Sequence, residues 1–401
     1  MSKRIVLEHV SKIFGDKPER ALALLNSGTS KEQLLAETGC SVGVDDVSMA
    51  IEAGETFVVM GLSGSGKSTL VRMLNRLIEP TAGRILIDGE DIGQLNDKGL
   101  RELRRRDFGM VFQSFALLPH LTVLDNAAFG LELAGRSKAE RLQAAHDALA
   151  QVGLAQWAHS YPDELSGGMQ QRVGLARALA ADPAILLMDE AFSALDPIIR
   201  TDMQTELIRL QAIKRRTIVF ISHDLDEAMR IGDRIAIMRN GRLEQLGTPE
   251  DILRAPANDY VRNFVQGVDP ARVFKAGDIV RNVPIVVAEQ PGKGSRAALA
   301  MLEAQDRDFA YVLSPERRFM GVVSAQSLRD ALDGHVGPLG LAHAFIDGAE
   351  PVAEDELVNA LFGKAAHAPC PLPVVAGDGR FKGAISRTNL LRFMDPSTPV
   401  P

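Results

Sequence analysis

With 401 residues, 46% hydrophobic and 24% charged, the chain has the length and composition of a globular protein of two or three domains. A net charge of −7 argues against nucleic acid as a main partner, since phosphate backbones are met by basic faces. Two distant cysteines, Cys40 and Cys370, read as reduced thiols of a cytosolic protein. The N-terminus carries no apolar leader, and no 18-residue uncharged apolar window occurs, so any membrane role is expected to come through a partner.

In chain order, RIVLEHVSKIFG reads as an opening strand. Residues 16–42 then interrupt it with two helical patterns, ERALALLNSG and SKEQLLAETG, each ending in glycine. Ser30 followed by Gln33 is a capping-box start. Strands resume at VGVDDVSMAI and ETFVVM, and the latter runs into GLSGSGKSTLVRML. Here Gly61, Gly66, Lys67 and Ser68 fit G-x-x-x-x-G-K-[ST] between a buried strand and a helix. Such a loop, Gly61–Ser63–Gly64–Ser65–Gly66 into Thr69, turns successive backbone N–H groups toward one anion, and the helix N-terminus adds partial positive charge. Lys67 would reach the β- and γ-phosphates and Ser68 would ligate Mg²⁺. The chain is expected to bind a nucleoside triphosphate.

GRILIDG and FGMVFQ read as further strands, followed by helices over about 120–170. AILLMDE is a buried strand ending in two carboxylates, which are costly to bury unless they face a ligand or metal. Asp189 would hold Mg²⁺, and Glu190 would orient or deprotonate the water attacking the γ-phosphate. Ser166, Gly167 and Gly168 precede the helical MQQRVGLARALA and make a second helix N-terminus with bare N–H groups. One nucleotide already has its loop, so this second anion site makes sense if it closes over the nucleotide of another copy. TIVFISH, a hairpin around Asn240-Gly241 and two short helices end the first domain near residue 267. The alternation implies an α/β fold with a largely parallel, covered sheet.

From residue 269 to 401 the texture changes. RRFMGVVSAQSLRDAL echoes GRFKGAISRTNLLRFM, each preceded by an apolar strand, so two β-β-α units are expected to pair. Lys plus Arg number 14 here and Asp plus Glu 16, so only a local basic face from Arg317, Arg318, Arg380, Lys382 and Arg387 could attract an anionic surface.

LSGGM at Leu165–Met169 resembles the L-S-G-G-Q signature of the ATP-binding-cassette family, with Met for Gln. The resemblance implies a P-loop NTPase cassette over 1–267, with a helical insertion at 16–42 and a helical subdomain at about 120–170. It also implies roles for further residues. Gln113 in VFQSF resembles the glutamine that ligates Mg²⁺ and senses a transmembrane partner. Asp196 in SALD resembles the loop that meets the second copy, and His223 in FISHD the switch histidine on the γ-phosphate. Phe14 occupies the place of the aromatic that stacks on adenine. Double-cassette translation factors and coiled-coil repair ATPases do not fit a single cassette with this short helical stretch. Over nearly its whole length the chain resembles the ATPase subunit of glycine betaine/proline importers, with tail repeats similar to a tandem CBS module, a small α+β unit. That implies ATP and Mg²⁺ as ligands, transmembrane permease subunits and, indirectly, a solute-binding protein as partners, and a peripheral place on the cytoplasmic face of the membrane. At the positions that hold ribose in adenosyl-binding CBS pairs stand Ser327 and Asn389, which offer no carboxylate. Other amino acids or quaternary amines remain open as solutes.

Overall fold

The expected opening strand is β1 (Lys3–Phe14), followed by α1 (Pro18–Asn26), α2 (Lys31–Thr38), β2 (Ser41–Glu52), β3 (Thr56–Met60) and α3 (Lys67–Leu74). The chain continues through β4 (Ala82–Ile87), β5 (Glu90–Asp91), α4 (Asp97–Asp107), β6 (Phe108–Val111), α5 (Val123–Leu133), α6 (Lys138–Gln151) and α7 (Gly167–Ala180). Then come β7 (Ile185–Asp189), α8 (Pro197–Ile213), β8 (Thr217–Ser222), α9 (Leu225–Ile231), β9 (Arg234–Arg239), β10 (Arg242–Gly247), α10 (Pro249–Arg254) and α11 (Asp259–Val265). This computed structural model describes residues 3–282, 286–288, 294–333 and 340–394, and the chain divides into two units, 1–266 and 267–401.

In the first unit a six-stranded sheet runs in the order β10-β9-β3-β8-β7-β6, parallel except for the edge strand β10. Every residue of β3, β7 and β8 is buried, as their unbroken apolar runs require of strands covered on both faces. A second, antiparallel sheet has the order β2-β1-β4-β5. The sequence reading does not separate this sheet from the first, because which strands pair is a long-range choice that local periodicity does not carry. Ile5, Leu7, Val47 and Ile51 from the antiparallel sheet share one core with Phe57, Leu187 and Val219 from the parallel one, and α3 adds Leu70 and Leu74.

The stretch expected to be helical contains α5, α6 and the start of α7, and the three helices pack on one another. Asn126 is fully buried among them; its Nδ2 donates to the carbonyls of Leu118, Leu121 and Thr122 and its Oδ1 accepts from Leu118 N–H. A buried amide so satisfied holds the loop ahead of α5 without the cost of an orphaned polar group.

The second unit holds α12 (Ala276–Ile279), β11 (Val286–Ala288), α13 (Ser295–Ala304), β12 (Phe309–Leu313), β13 (Phe319–Ser324) and α14 (Ala325–Leu332). Its second half is β14 (Val352–Ala353), α15 (Val358–His367), β15 (Leu372–Val375), β16 (Phe381–Ile385) and α16 (Arg387–Phe393). Each repeat is therefore longer than the expected β-β-α unit: a short parallel strand and a helix precede it, giving sheets β11-β12-β13 and β14-β15-β16. Strands of three and two residues are too short to show periodicity in sequence. The repeats pair reciprocally: Phe319 N–H donates to Gly379 O at 3.1 Å and Phe381 N–H to Arg317 O at 3.0 Å. Phe381 also stacks on Tyr311, with ring centroids 5.0 Å apart.

Three of the five tail cations proposed for a basic face are already engaged. Arg380 pairs with Asp378 and Lys382 with Glu354, while Arg387 donates to the carbonyls of Ala365, Ala366 and Ala368 at the end of α15. Residues 283–285, 289–293, 334–339 and 395–401 of the expected tail module lie outside the described residues.

Candidate functional site

The glycine-rich loop sits where β3 ends and α3 begins, at the carboxyl edge of the parallel sheet. Gly61, Gly64 and Gly66 have φ of 146°, 77° and 99°, a region that side-chained residues rarely adopt. Space forbids a side chain as well: a Cβ on Gly61 would lie 2.2 Å from Met238 O, and one on Gly66 2.3 Å from Gly43 O. Lys67 opens α3, is buried, and its Nζ donates to Gly61 O at 2.9 Å and Leu62 O at 3.1 Å. Burial pulls its ammonium below the usual lysine range, opposed by the charges of Glu190 and Asp189. Ser65 Oγ is buried and lacks a hydrogen-bond partner among the described residues, so the loop leaves a donor for a ligand.

At the second residue of α3 the Ser68 hydroxyl donates to Asp189 Oδ1 at 3.1 Å, and one turn later Arg72 Nη2 donates to Asp189 Oδ2 at 3.1 Å. A carboxylate and a hydroxyl at the mouth of a phosphate-binding loop are hard oxygen donors of the type Mg²⁺ takes together with substrate phosphates. The residues fit that ion.

Glu190 follows β7 with φ of 47°, so the backbone turns sharply out of the strand at this residue. Its Oε2 accepts from Gln113 Nε2 at 3.4 Å and lies 3.5 Å from His223 Nδ1. Gln113 Nε2 also donates to Ser193 Oγ at 3.1 Å. Gln113, Glu190 and His223 thus come from the ends of β6, β7 and β8, three adjacent strands, and meet around one carboxylate. Gln113 Nε2 faces Glu190 and Ser193, and among the described residues no hydrogen bond joins Gln113 to the Ser68–Asp189 pair.

Phe14 ends β1 and is 40% exposed, its ring against Gly43 and the Lys12 ammonium 5.1 Å from its centroid. It is a half-exposed aromatic beside β2. Ser63 and Gly64 are exposed at the loop's outer bend.

Ser166 caps α7 and accepts from Met169 N–H, with Gly167 and Gly168 in the first turn. Gly168 has no room for a side chain: a Cβ there would meet Ile199 Cγ2 at 2.3 Å. Ile199 lies in the first turn of α8, whose cap Asp196 accepts from the N–H groups of Ile198 and Ile199. The signature turn and the Asp196 turn are therefore packed together. Among the described residues, no hydrogen bond joins Ser166, Gly167 or Gly168 to the phosphate loop of the same chain. The Gln113 loop lies on α7, because Gln171 Nε2 donates to Phe112 O and Arg177 to the carbonyls of Phe115 and Ala116.

Three residues the sequence reading passed over complete the site. Ser193 joins Gln113 to the Glu190 carbonyl. Arg72 neutralises Asp189. Arg200 braces Ser193 O, Leu195 O and the Asp224 carboxylate. Arg72 stands four residues after Ser68, one helical turn, so its spacing was a readable signal; nothing local marks Arg200.

An ABC transporter family model matches residues 44–193. The chain is 58% identical over 396 residues to the glycine betaine/proline betaine transport system ATP-binding protein ProV of Escherichia coli, covering 98% of each. It is 48% identical over 388 residues to the glycine betaine transport ATP-binding protein OpuAA of Bacillus subtilis, covering 97% of this chain and 91% of that one. Among solved structures, a dimeric bacterial ABC transporter cassette aligns with TM-score 0.51 and 33% identity, over 61% of this chain and 98% of that one. With likeness to whole ATP-binding subunits from end to end, and the loop, paired carboxylates and capped signature helix in place, the chain belongs to the ABC transporter family as an ATP-binding subunit.

Proposed function

We propose that the chain is the ATP-hydrolysing subunit of an importer for glycine betaine and related quaternary amines. The observation that carries this reading is end-to-end likeness, tail included, to glycine betaine ATP-binding proteins. Phe14 offers its ring to adenine. The N–H groups of Gly61–Thr69 and the Lys67 ammonium hold the phosphates, and Lys67 exchanges its carbonyl partners for phosphate oxygens. Ser68, Asp189 and the side-chain oxygen of Gln113 would hold Mg²⁺, which when bound neutralises charge on the β- and γ-phosphates. Glu190 takes a proton from the attacking water, and His223 and Gln113 aim its carboxylate. Ser166, Gly167, Gly168 and Asp196 serve the nucleotide of a second copy, so that two copies enclose two ATP molecules. Because Gln171 and Arg177 tie the Gln113 loop to α7, a permease pressing on that loop moves the signature turn with it. A solute-binding protein on the far side completes the system, and the chain works from the cytoplasmic face; among the described residues no helix is long and apolar enough to cross a membrane.

Uptake assays in vesicles carrying the chain with its permease subunits test the solute. ATP-dependent accumulation of radiolabelled glycine betaine, competed by related quaternary amines, is expected. Hydrolysis stimulated only by a different solute class would overturn the assignment.

The 269–401 module, CBS-like in its repeats, is regulatory in this scheme, because the cassette is complete without it and two paired repeats can form a bistable element. Deleting it is expected to leave ATP hydrolysis and uptake working while flattening their dependence on ionic strength. An unchanged salt-activation curve in the truncated complex would assign the module a structural role.

A further inference from the structure

Lys31 has no part in the roles assigned above, yet it reaches the turn that is bonded to the phosphate loop. It is the first residue of α2, within the 16–42 insertion, and the Ser30–Gln33 capping box fixes that helix start. Its ammonium donates to Asn240 O and lies 3.2 Å from Asp45 Oδ2, on a side chain only 5% exposed. The same oxygen accepts from Arg242 Nε at 2.7 Å. Asp45 N–H donates to Gly241 O at 2.9 Å, and Gly241 N–H donates to Ser65 O at 2.9 Å. Asn240 and Gly241, with φ of 49° and 79°, form the tight turn between β9 and β10.

The phosphate loop therefore rests on a seat made by β2 and this turn, with Gly66 against Gly43 O and Gly61 against Met238 O. A carboxylate as buried as Asp45 is tolerable only when paired. Arg242 and the Asp45 N–H join the hairpin to β2 alone. Lys31 comes from a separate segment and binds both the carboxylate and the turn.

We infer that Lys31 is a positioning residue for the phosphate loop. It holds the Asn240–Gly241 turn, and through the Gly241–Ser65 hydrogen bond the loop, in the shape whose N–H groups converge on phosphate. This rests on the reading of Gly61–Thr69 as the ATP site. The effect is preorganisation of binding, since none of these bonds touches Glu190, His223 or Gln113.

The test uses full-length Lys31→Met, Lys31→Gln and Lys31→Arg, with Kd for ATP–Mg²⁺ from equilibrium binding, kcat and KM from steady-state hydrolysis, and the unfolding midpoint. Losing one charge-assisted contact is expected to raise Kd and KM together by about 3–10-fold in Lys31→Met, with kcat held within about twofold. Lys31→Gln, which keeps a donor for Asn240 O, is expected between wild type and Lys31→Met, and supplies the reading if Lys31→Met does not fold. Lys31→Arg should restore most of the affinity. A lowered unfolding midpoint with unchanged Kd would make the tether merely structural and overturn the proposal, as would a loss confined to kcat. Lys67→Ala runs alongside. If it too leaves Kd unchanged, the ATP-site reading fails; if it weakens binding while Lys31→Met does not, only the present proposal fails.

Discussion

Glu190→Gln is expected to bind ATP as the wild-type chain does and to hydrolyse it about 10²–10⁴ times more slowly, the range for loss of a positioned general base. The substitution keeps the volume of the side chain and an oxygen that can accept from Gln113. It removes the one property that matters for chemistry, the capacity to take a proton from water. Glu190 holds its place through a backbone turn at φ 47° and the flanking Gln113 and His223, none of which depends on its charge alone. Binding should therefore survive. If hydrolysis is what separates two copies, slow hydrolysis should also collect an ATP-bound dimer, visible by light scattering. Single-turnover hydrolysis gives the rate directly, and a variant turning over at nearly the wild-type rate would remove Glu190 from this role.

Lys67→Ala is expected to act one step earlier, raising the Kd for ATP by about 10²-fold, as loss of a charge-assisted contact of about 3 kcal/mol implies. Lys67 is buried with its ammonium resting on two loop carbonyls, and burial makes its charge harder to keep. Phosphate oxygens would replace neutral dipoles with full negative charge, so the charged lysine is better stabilised with nucleotide than without. The sign follows for pH: as pH rises through the lowered Lys67 pKa, the ammonium is lost and ATP affinity falls. In Lys67→Ala that high-pH loss of affinity should disappear along with most of the binding. Unchanged affinity measured by isothermal titration would sink the phosphate-loop assignment.

Much of the site was legible because its parts are consecutive. Gly61 through Thr69 lie on one strand–loop–helix, where each glycine answers a local backbone demand, so residue order alone specifies the geometry. Ser166–Gly168 were legible for the same reason, Ser166 being a helix cap whose partner lies within three residues, whereas Asp196 entered only through the family resemblance and its cap is seen in the structure. The Ser30–Gln33 capping box and the Asn240-Gly241 hairpin are equally local.

Other features are products of strand order. Gln113, Glu190 and His223 meet because β6, β7 and β8 are neighbours, and Ser193 enters only because the turn after β7 folds back under Gln113. The pairing of Lys31 with Asp45 and the Asn240–Gly241 turn joins segments that are remote in sequence, and nothing in the apolar or charge pattern of α2 foretells it. In the tail, the echoing repeats were readable. The engagement of Arg380, Lys382 and Arg387 by acids and helix-end carbonyls was not, so a cationic face that existed on paper is largely spent in the fold. The turns, caps and phosphate loop are written in short stretches of residues, because their energies depend on neighbours a few positions apart. Which charges meet is settled by the folded core, because contact across strands depends on sheet order and register, set by burial of the whole core rather than by any single stretch.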